Sequence, residues 1–298
     1  MKQINQILVA IDRSAMAAEA LKRAISIAKE KDAQLIVMHV IEPFFIESPF
    51  LQAIDEEEIK KQVTEQIDQL NSEADLKYIL FVESGSAASS ITLKAQKTKA
   101  DLLVIGTHGK DDINSNYFGS TTLKIIQKTH IPVLIVKNEA KSTYKKILAP
   151  TNLSDYSKES ILFANTLFNT SSMKYLYAFV TVDELQALRY RISIEQKDKF
   201  KKELLLDAET ALAKFVKEVG NGEMALIGYR ASINEDLLAY ITKDQSDLLV
   251  LGSKGVDNLN SFVFGSTASY LVQSSPTDVL VYVPVITQAK VHRERSST

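Results

Sequence analysis

The sequence predicts an α/β protein of two tandem, doubly wound, mainly parallel five-stranded sheets, and three observations carry that expectation. A shift of 146 residues superposes Gly106-Thr107-His108-Gly109 on Gly252-Ser253-Lys254-Gly255, Gly119-Ser120-Thr121 on Gly265-Ser266-Thr267, and Asp101-Leu-Leu-Val on Asp247-Leu-Leu-Val, so the chain is an internal duplication. Within each half, short and nearly continuous apolar runs alternate with stretches of helical period, and strands apolar on both faces belong to a parallel sheet covered on both sides. Because strand–helix–strand crossovers are right-handed, each half should wind into a sheet with a crevice at the carboxyl ends of its strands.

In chain order, the first strand is Gln6 to Ile11. A helix starts near Ser14, a residue suited to an N-cap, with Ala17, Leu21, Ala24, Ile25 and Ala28 on one face. The second strand runs from Gln34 to Val40; a loop with Pro43, Pro49 and the apolar Phe44, Phe45 and Phe50 follows, read as a lid over the crevice. Next come an amphipathic helix from Glu56 to Leu70, a strand from Tyr78 to Val82, a helix from Ala87 to Lys97, a strand from Asp101 to Ile105, a helix from Ser120 to Lys128 and a strand from Val133 to Val136. The polar stretch Asn138 to Tyr144 has no apolar period and reads as the linker, which sets a first domain at 1–139, a second at 145–285 and a flexible tail at 286–298. The second half restarts at Ile147-Leu148-Ala149-Pro150. Its later strands are expected near Met173 to Phe179, Glu223 to Tyr229, Asp247 to Leu251 and Asp278 to Val283, with a longer helical region, one bent helix or two, from Asp183 to Val219.

Composition narrows the chemistry. The 298 residues are 45% hydrophobic and 24% charged, enough to bury two ordinary cores. No apolar run approaches the roughly eighteen residues of a membrane span, and the first residues lack a basic region followed by a long apolar segment. A cytoplasmic protein without membrane insertion is expected. The absence of cysteine removes disulfides, thiolate metal sites and cysteine nucleophiles, and His39 and His108 lack a recognisable third ligand, so no structural metal is expected. A net charge of -2 offers no broad field for nucleic acid.

The duplicated glycine loops carry the functional signal. A phosphate needs inward-facing N–H groups, close approach without an intervening Cβ, and a helix N-terminus at the positive end. Gly106, Gly109 and Gly119 suit the approach, and Ser120 and Thr121 open a helix with N–H groups and hydroxyls that donate to phosphate oxygens; Gly252, Gly255, Gly265, Ser266 and Thr267 repeat the set. The bland alternative is that the glycines only make turns and the serines only cap helices. The first strand leads into Asp12-Arg13-Ser14 in place of a Gly-x-Gly-x-x-Gly loop, and neither a Gly-x-x-x-x-Gly-Lys-Ser/Thr loop nor a Gly-x-Ser-x-Gly elbow occurs.

With Ile7-Leu-Val-Ala-Ile-Asp12 on the first strand, Met38-His39-Val40 closing the second, and Gly-x-x-Gly followed after nine residues by Gly-Ser/Thr, the chain resembles the universal stress protein family in its tandem two-domain form over nearly its whole length. The resemblance implies a Rossmann-like, adenine nucleotide alpha hydrolase-like fold. It also implies an adenine nucleotide ligand (ATP, ADP or AMP, with magnesium able to accompany it). Carried over residue by residue, it places Asp12 and Val40 near the nucleoside and Gly106, Gly109, Gly119, Ser120 and Thr121 near ribose and phosphates; in the second half it carries over Gly252, Gly255, Gly265, Ser266 and Thr267. It implies, too, that the halves meet through Val133 to Val136 and Val279 to Val283 as an intrachain pseudo-dimer able to associate further. Asn152 stands where Asp12 does, and Ala178-Phe179-Val180 puts a bulky residue near the expected adenine contact, so the first half is expected to hold the complete nucleotide site, with Lys254 adding a charge in the second.

Two functions compete. The favoured one is an ATP-binding stress-response protein, non-catalytic or weakly hydrolysing, whose nucleotide orders a glycine loop and changes a surface read by a protein partner. No residue set resembles a phosphoryl-transfer or nucleophilic apparatus. The alternative is a scaffold of the same fold whose loops do not use nucleotide.

Overall fold

The structure, a computed structural model, describes residues 3–42, 56–107, 119–181, 193–229, 232–253 and 264–283. The expected lid with Phe44, Phe45 and Phe50, the loop residues His108, Gly109, Lys254 and Gly255, and the tail lie outside the described residues. The chain divides into two compact units, the first built on Met1–Thr143 and the second on Tyr144–Tyr282.

The first unit runs β1 (Gln6–Ile11), α1 (Ala15–Lys31), β2 (Gln34–Ile41), α2 (Glu56–Asn71), β3 (Tyr78–Ser84), α3 (Ala87–Lys97), β4 (Leu102–Gly106), α4 (Ser120–Lys128) and β5 (Val133–Val136). Its strands are parallel in the order β3-β2-β1-β4-β5. The β-branched and aliphatic runs of the central strands are buried on both faces: Ile7, Leu8, Val9, Leu35, Val37, Leu102, Leu103 and Val104 have no exposed surface. Helix α1 packs with α2, and α3 with α4. Ser14 caps α1, its Oγ accepting from the Ala17 N–H at 3.1 Å, and the helix ends at Asp32 in the left-handed region (φ 51°). The expected inner face of α1 is buried throughout, and its alanines let the helix lie close on β1 and β4.

The second unit repeats the plan as β6 (Lys146–Thr151), α5 (Asp155–Leu167), β7 (Ser172–Val180), α6 (Ile194–Val219), β8 (Glu223–Tyr229), α7 (Ile233–Asp244), β9 (Leu248–Gly252), α8 (Ser266–Ser274) and β10 (Asp278–Tyr282), parallel in the order β10-β9-β6-β7-β8. The long helical region expected from Asp183 is a helix from Ile194, opened by a reciprocal capping box between Ser193 and Gln196; residues 182–192 lie outside the described residues.

Tyr144 departs from its reading as linker. Its ring is 4% exposed, meets Phe168 edge-on at 5.1 Å, and its hydroxyl donates to Asp278 Oδ2 at 2.6 Å. A single aromatic in a polar stretch has no period to betray its burial. Before it, the Ala140 N–H donates to Glu19 Oε2 at 2.7 Å and the Arg23 guanidinium to the Ser142 carbonyl, so this stretch is tied down on α1.

The aspartate before β4 and β9 also acquires a reason. Asp101 Oδ2 accepts the N–H groups of Asn5 and Gln6 at 2.8 and 3.0 Å, and Asp247 Oδ2 those of Lys145 and Lys146 at 2.8 and 2.9 Å. In both units the repeated acid satisfies the entry of the first strand, at the end of the sheet opposite the crevice.

Candidate functional site

The strand order of the first unit reverses between β1 and β4, and an open parallel sheet forms its ligand crevice at such a point, beyond the carboxyl ends of the strands. Ala10 on β1 pairs with Ile105 on β4, so Asp12 and Gly106 emerge from neighbouring strands on that rim. Asp12, half-buried, accepts the Ser14 N–H at Oδ1 (2.8 Å); among the described residues its other oxygen accepts nothing. His39, on β2 and 6% exposed, places Nδ1 2.9 Å from the Ile11 carbonyl. A carbonyl only accepts, so Nδ1 carries the proton and the imidazole steadies the backbone just before Asp12. Val40, the next residue on β2, lies on the same rim and is half-buried.

Gly106 ends β4. A Cβ there would lie 2.9 Å from the Met16 carbonyl carbon and 3.2 Å from the Ala17 nitrogen, so the glycine lets the first turn of α1 rest on the strand end. Gly119 is the N-cap of α4: its N–H donates to the Thr107 carbonyl (3.4 Å), and no side chain caps the helix. The first turn of α4, with Ser120 exposed and Thr121 half-buried, therefore keeps donors for a ligand, whereas Ser14 and Ser193 spend their hydroxyls on the helices they open. Beside the Asp12 loop, a cavity of about 220 Å³ is lined by Arg13 and by Ile59, Gln62, Val63 and Gln66 of α2. Sequence reasoning passed over Arg13 and that α2 face, because only folding brings them together.

In the second unit the corresponding rim lies between β6 and β9, where Leu148 pairs with Leu249. Gly265 caps α8 without a side-chain hydrogen bond, its N–H donating to the Ser253 carbonyl at 3.1 Å, with Ser266 exposed and Thr267 half-buried in the first turn. The fit is looser here: a Cβ on Gly252 would come no nearer than 3.3 Å to other atoms, and one on Gly265 would meet nothing within 4 Å. Asn152 is exposed and folded back on its own loop, with Leu153 held at φ 62°.

The register fixes which residue of β7 matches Val40. Ile11 pairs with His39 and Thr151 with Tyr177, so the residue matching Val40 is Ala178. Phe179 is one position further on, and the tip of its ring would lie 3.6 Å from a Cβ on Gly228 of β8, so it sits against the neighbouring strand. Reading Ala178-Phe179-Val180 as a block against Met38-His39-Val40 hid an offset of two.

Comparison with known proteins agrees with this architecture. The profile of the universal stress protein family matches residues 3–137 and again 143–283. A universal stress protein of Methanocaldococcus jannaschii is 32% identical over 148 residues, covering 46% of this chain and 84% of that protein. The Bacillus subtilis universal stress protein YxiE is 31% identical over 146 residues, covering 45% of this chain and 99% of its own length. Among solved structures, a protein of unknown function from Pseudomonas aeruginosa superposes with a TM-score of 0.71 at 16% identity, covering 99% of this chain and 98% of that one. A universal stress protein from Archaeoglobus fulgidus superposes at 0.64 and 16% identity, covering 94% and 99%. At those identities the superpositions speak for the fold alone. Two open parallel sheets with glycine-capped helices over their reversal points define a tandem α/β protein of the Rossmann-like class. The chain belongs to the universal stress protein family, as a tandem of two of its domains.

Proposed function

We propose that the first unit binds an adenine nucleotide, ATP foremost, and that the chain is a cytoplasmic stress-response protein signalling through its nucleotide-dependent loop. The observation that carries this reading is the unspent carboxylate oxygen of Asp12 on the same rim as the uncapped first turn of α4. The two ends differ in chemistry: an acceptor suits ribose hydroxyls, and N–H groups with hydroxyls at a helix N-terminus suit phosphates. Val40, near the end of β2 beside β1, offers its main chain to the base. Gly109 completes the phosphate loop, with Gly106 and Gly119 shaping the backbone on either side, and magnesium accompanies the phosphates as their counter-ion. Gly252, Gly255, Gly265, Ser266 and Thr267 form the equivalent, weaker phosphate end in the second unit.

Turnover is slow or absent in this reading, which assigns Asp12 and the hydroxyls of Ser120 and Thr121 to binding and finds no residue set in the sequence that resembles a phosphoryl-transfer or nucleophilic apparatus. The nucleotide acts by ordering the glycine loop, which a protein partner reads. Two family domains in one chain fit an intrachain pseudo-dimer. No helix among the described residues is long and apolar enough to cross a membrane. A nucleotide-independent scaffold is the second reading, favoured by the self-satisfied Asn152.

The test is isothermal calorimetry of nucleotide-stripped protein with ATP and magnesium, using Gly109→Val and Gly255→Val to block each loop. Binding that disappears with Gly109→Val and persists with Gly255→Val supports the reading. No binding by the stripped wild type, or turnover near one per second, overturns it.

A further inference from the structure

The two units put opposite chemistry at the same place. Asp12 accepts the Ser14 N–H at Oδ1 and leaves its other oxygen open among the described residues. Asn152 Oδ1 accepts the matching N–H, that of Ser154, at 3.2 Å, together with the hydroxyls of Ser154 at 2.6 Å and Ser157 at 2.7 Å. A backbone N–H only donates, so the atom that meets it is the amide oxygen, and Nδ2 stands where the first unit has its open carboxylate oxygen. Asn152 is exposed, and Nδ2 has no partner among the described residues. An uncharged donor thus replaces an anionic acceptor.

The other end of this rim is made of donors too. Gly265 opens α8 without a side-chain cap, and the hydroxyls of Ser266 and Thr267 in its first turn have no partner among the described residues. A second observation, independent of the helix end, points the same way. Ser253 is 2% exposed, yet its hydroxyl has no hydrogen-bond partner among the described residues. A Cβ on Gly252 would face the Tyr156 carbonyl of α5 at 3.3 Å, so strand alternation turns the next side chain to the opposite face of the sheet. Right-handed crossovers on the far side of the strand-order reversal put α7 and α8 on that face, packed on each other. The Ser253 carbonyl holds the Gly265 N–H at 3.1 Å, which keeps the serine beside the start of α8. A buried hydroxyl with nothing to donate to is costly, and an acceptor brought to that helix end removes the cost. The acid of the β6–α5 loop, Asp155, is exposed in the first turn of α5, and the Lys158 ammonium lies within its field.

We propose that the second unit binds an inorganic oligophosphate, of the pyrophosphate and tripolyphosphate class, in preference to a nucleotide. The proposal rests on the reading of the α8 end as a phosphate site and names the ligand of that site. Phosphate oxygens only accept, so Nδ2 of Asn152, the Ser253 hydroxyl and the first turn of α8 all match them. The donors leave from two neighbouring strands, β6 and β9, so a chain of phosphates reaches both groups where a single phosphate meets one. A ribose hydroxyl can take the Nδ2 proton, but its own proton then lacks the anionic acceptor that Asp12 offers in the first unit. A hydrogen bond to a neutral oxygen is also about half as strong as one to a charged oxygen.

The experiment uses the full chain with Gly109→Val, which blocks the first loop, and measures sodium tripolyphosphate and ATP by equilibrium dialysis at equal magnesium. Tripolyphosphate is expected to bind at least about fivefold more tightly than ATP, the difference between a hydrogen bond to a charged oxygen and one to a neutral oxygen. Adding Asn152→Asp, which sets a carboxylate oxygen in place of Nδ2, should weaken tripolyphosphate at least about tenfold and remove its preference over ATP. Adding Ser253→Ala instead should weaken tripolyphosphate at least about fivefold and leave the melting temperature of the ligand-free chain unchanged or higher, because the lost hydroxyl had no partner. A serine that only supports the fold would lower the melting temperature. ATP bound as tightly as tripolyphosphate in the Gly109→Val chain, no tripolyphosphate bound there, or tripolyphosphate affinity unmoved by either added variant in chains with wild-type circular dichroism overturns the proposal. A wild type that binds tripolyphosphate but no ATP sinks the nucleotide reading of the first unit and leaves this proposal standing. ATP bound by the wild type, with nothing bound once Gly109→Val is present, does the reverse.

Discussion

Exchange of Gly106 for alanine tests how tightly the crevice is built. The added Cβ would sit 2.9 Å from the Met16 carbonyl carbon, 3.0 Å from its oxygen and 3.2 Å from the Ala17 nitrogen. All three are backbone atoms of α1 that cannot rotate away, and ordinary carbon contacts begin near ~3.5 Å, so the first turn must retreat by roughly 0.5 Å. Behind it, Ala20, Leu21 and Ala24 have no exposed surface, and overfilling so dense an interface costs about 1–3 kcal/mol. The stiffer unfolded chain returns about 0.4–1 kcal/mol. The net loss is about 0–2.6 kcal/mol, so at about 2–4 °C per kcal/mol Gly106→Ala should lower the melting temperature of its unit by as much as about 10 °C. Gly252→Ala, whose nearest contact would be 3.3 Å, should leave its unit within about 2 °C of wild type. Differential scanning calorimetry of the two variants and the wild type gives the comparison. Equal shifts, or a larger loss for Gly252→Ala, would refute the claim that only the first unit presses its glycine against α1.

The aspartates that hold the strand entries should also differ. Asp101 is 8% exposed and its bonds from Asn5 and Gln6 are partly buried, whereas Asp247 and its bonds are exposed, so Asp101→Ala should cost about 1 kcal/mol while Asp247→Ala lets water replace the acid; urea titrations giving the two variants equal losses would contradict this. In the second unit, burial pushes the Asp244 carboxyl up, but the Lys174 ammonium at 2.6 Å, the Ser246 hydroxyl and the charge of Lys146 outweigh it and hold it below its ordinary value. A carboxyl depressed in the folded state contributes stability above its unfolded pKa and loses it as pH falls through the folded one, so acid should weaken this unit below about pH 4. Asp244→Asn should flatten that slope in melting curves from pH 7 to 3, and an unchanged slope would exclude the pair as its source.

Most of the fold was legible because apolar period and length are local properties. β1, α3, α4, β5 and β8 begin and end where the residue pattern sets them, while β2 and β4 each reach one residue beyond the expected end. The site was legible in part. Asp12 and the glycines stood out through their place in a repeated β-α unit, yet the pattern did not separate the ligand role of Gly106 from its packing role against Met16. The partners of Asp101 lie 95 and 96 residues away, and no local signal names them.

By itself the sequence determined that this is a duplicated α/β chain with a glycine loop after the fourth strand of each half, because repetition and periodicity are written along the chain. Tertiary structure alone decided which candidates share a rim, that Ala178 stands at the place of Val40, and that Asn152 is satisfied from within by Ser154 and Ser157. Strand register and hydrogen-bond direction arise only when segments distant in sequence are packed side by side, and a shift of one residue or the turn of one amide separates an open acceptor from a filled one.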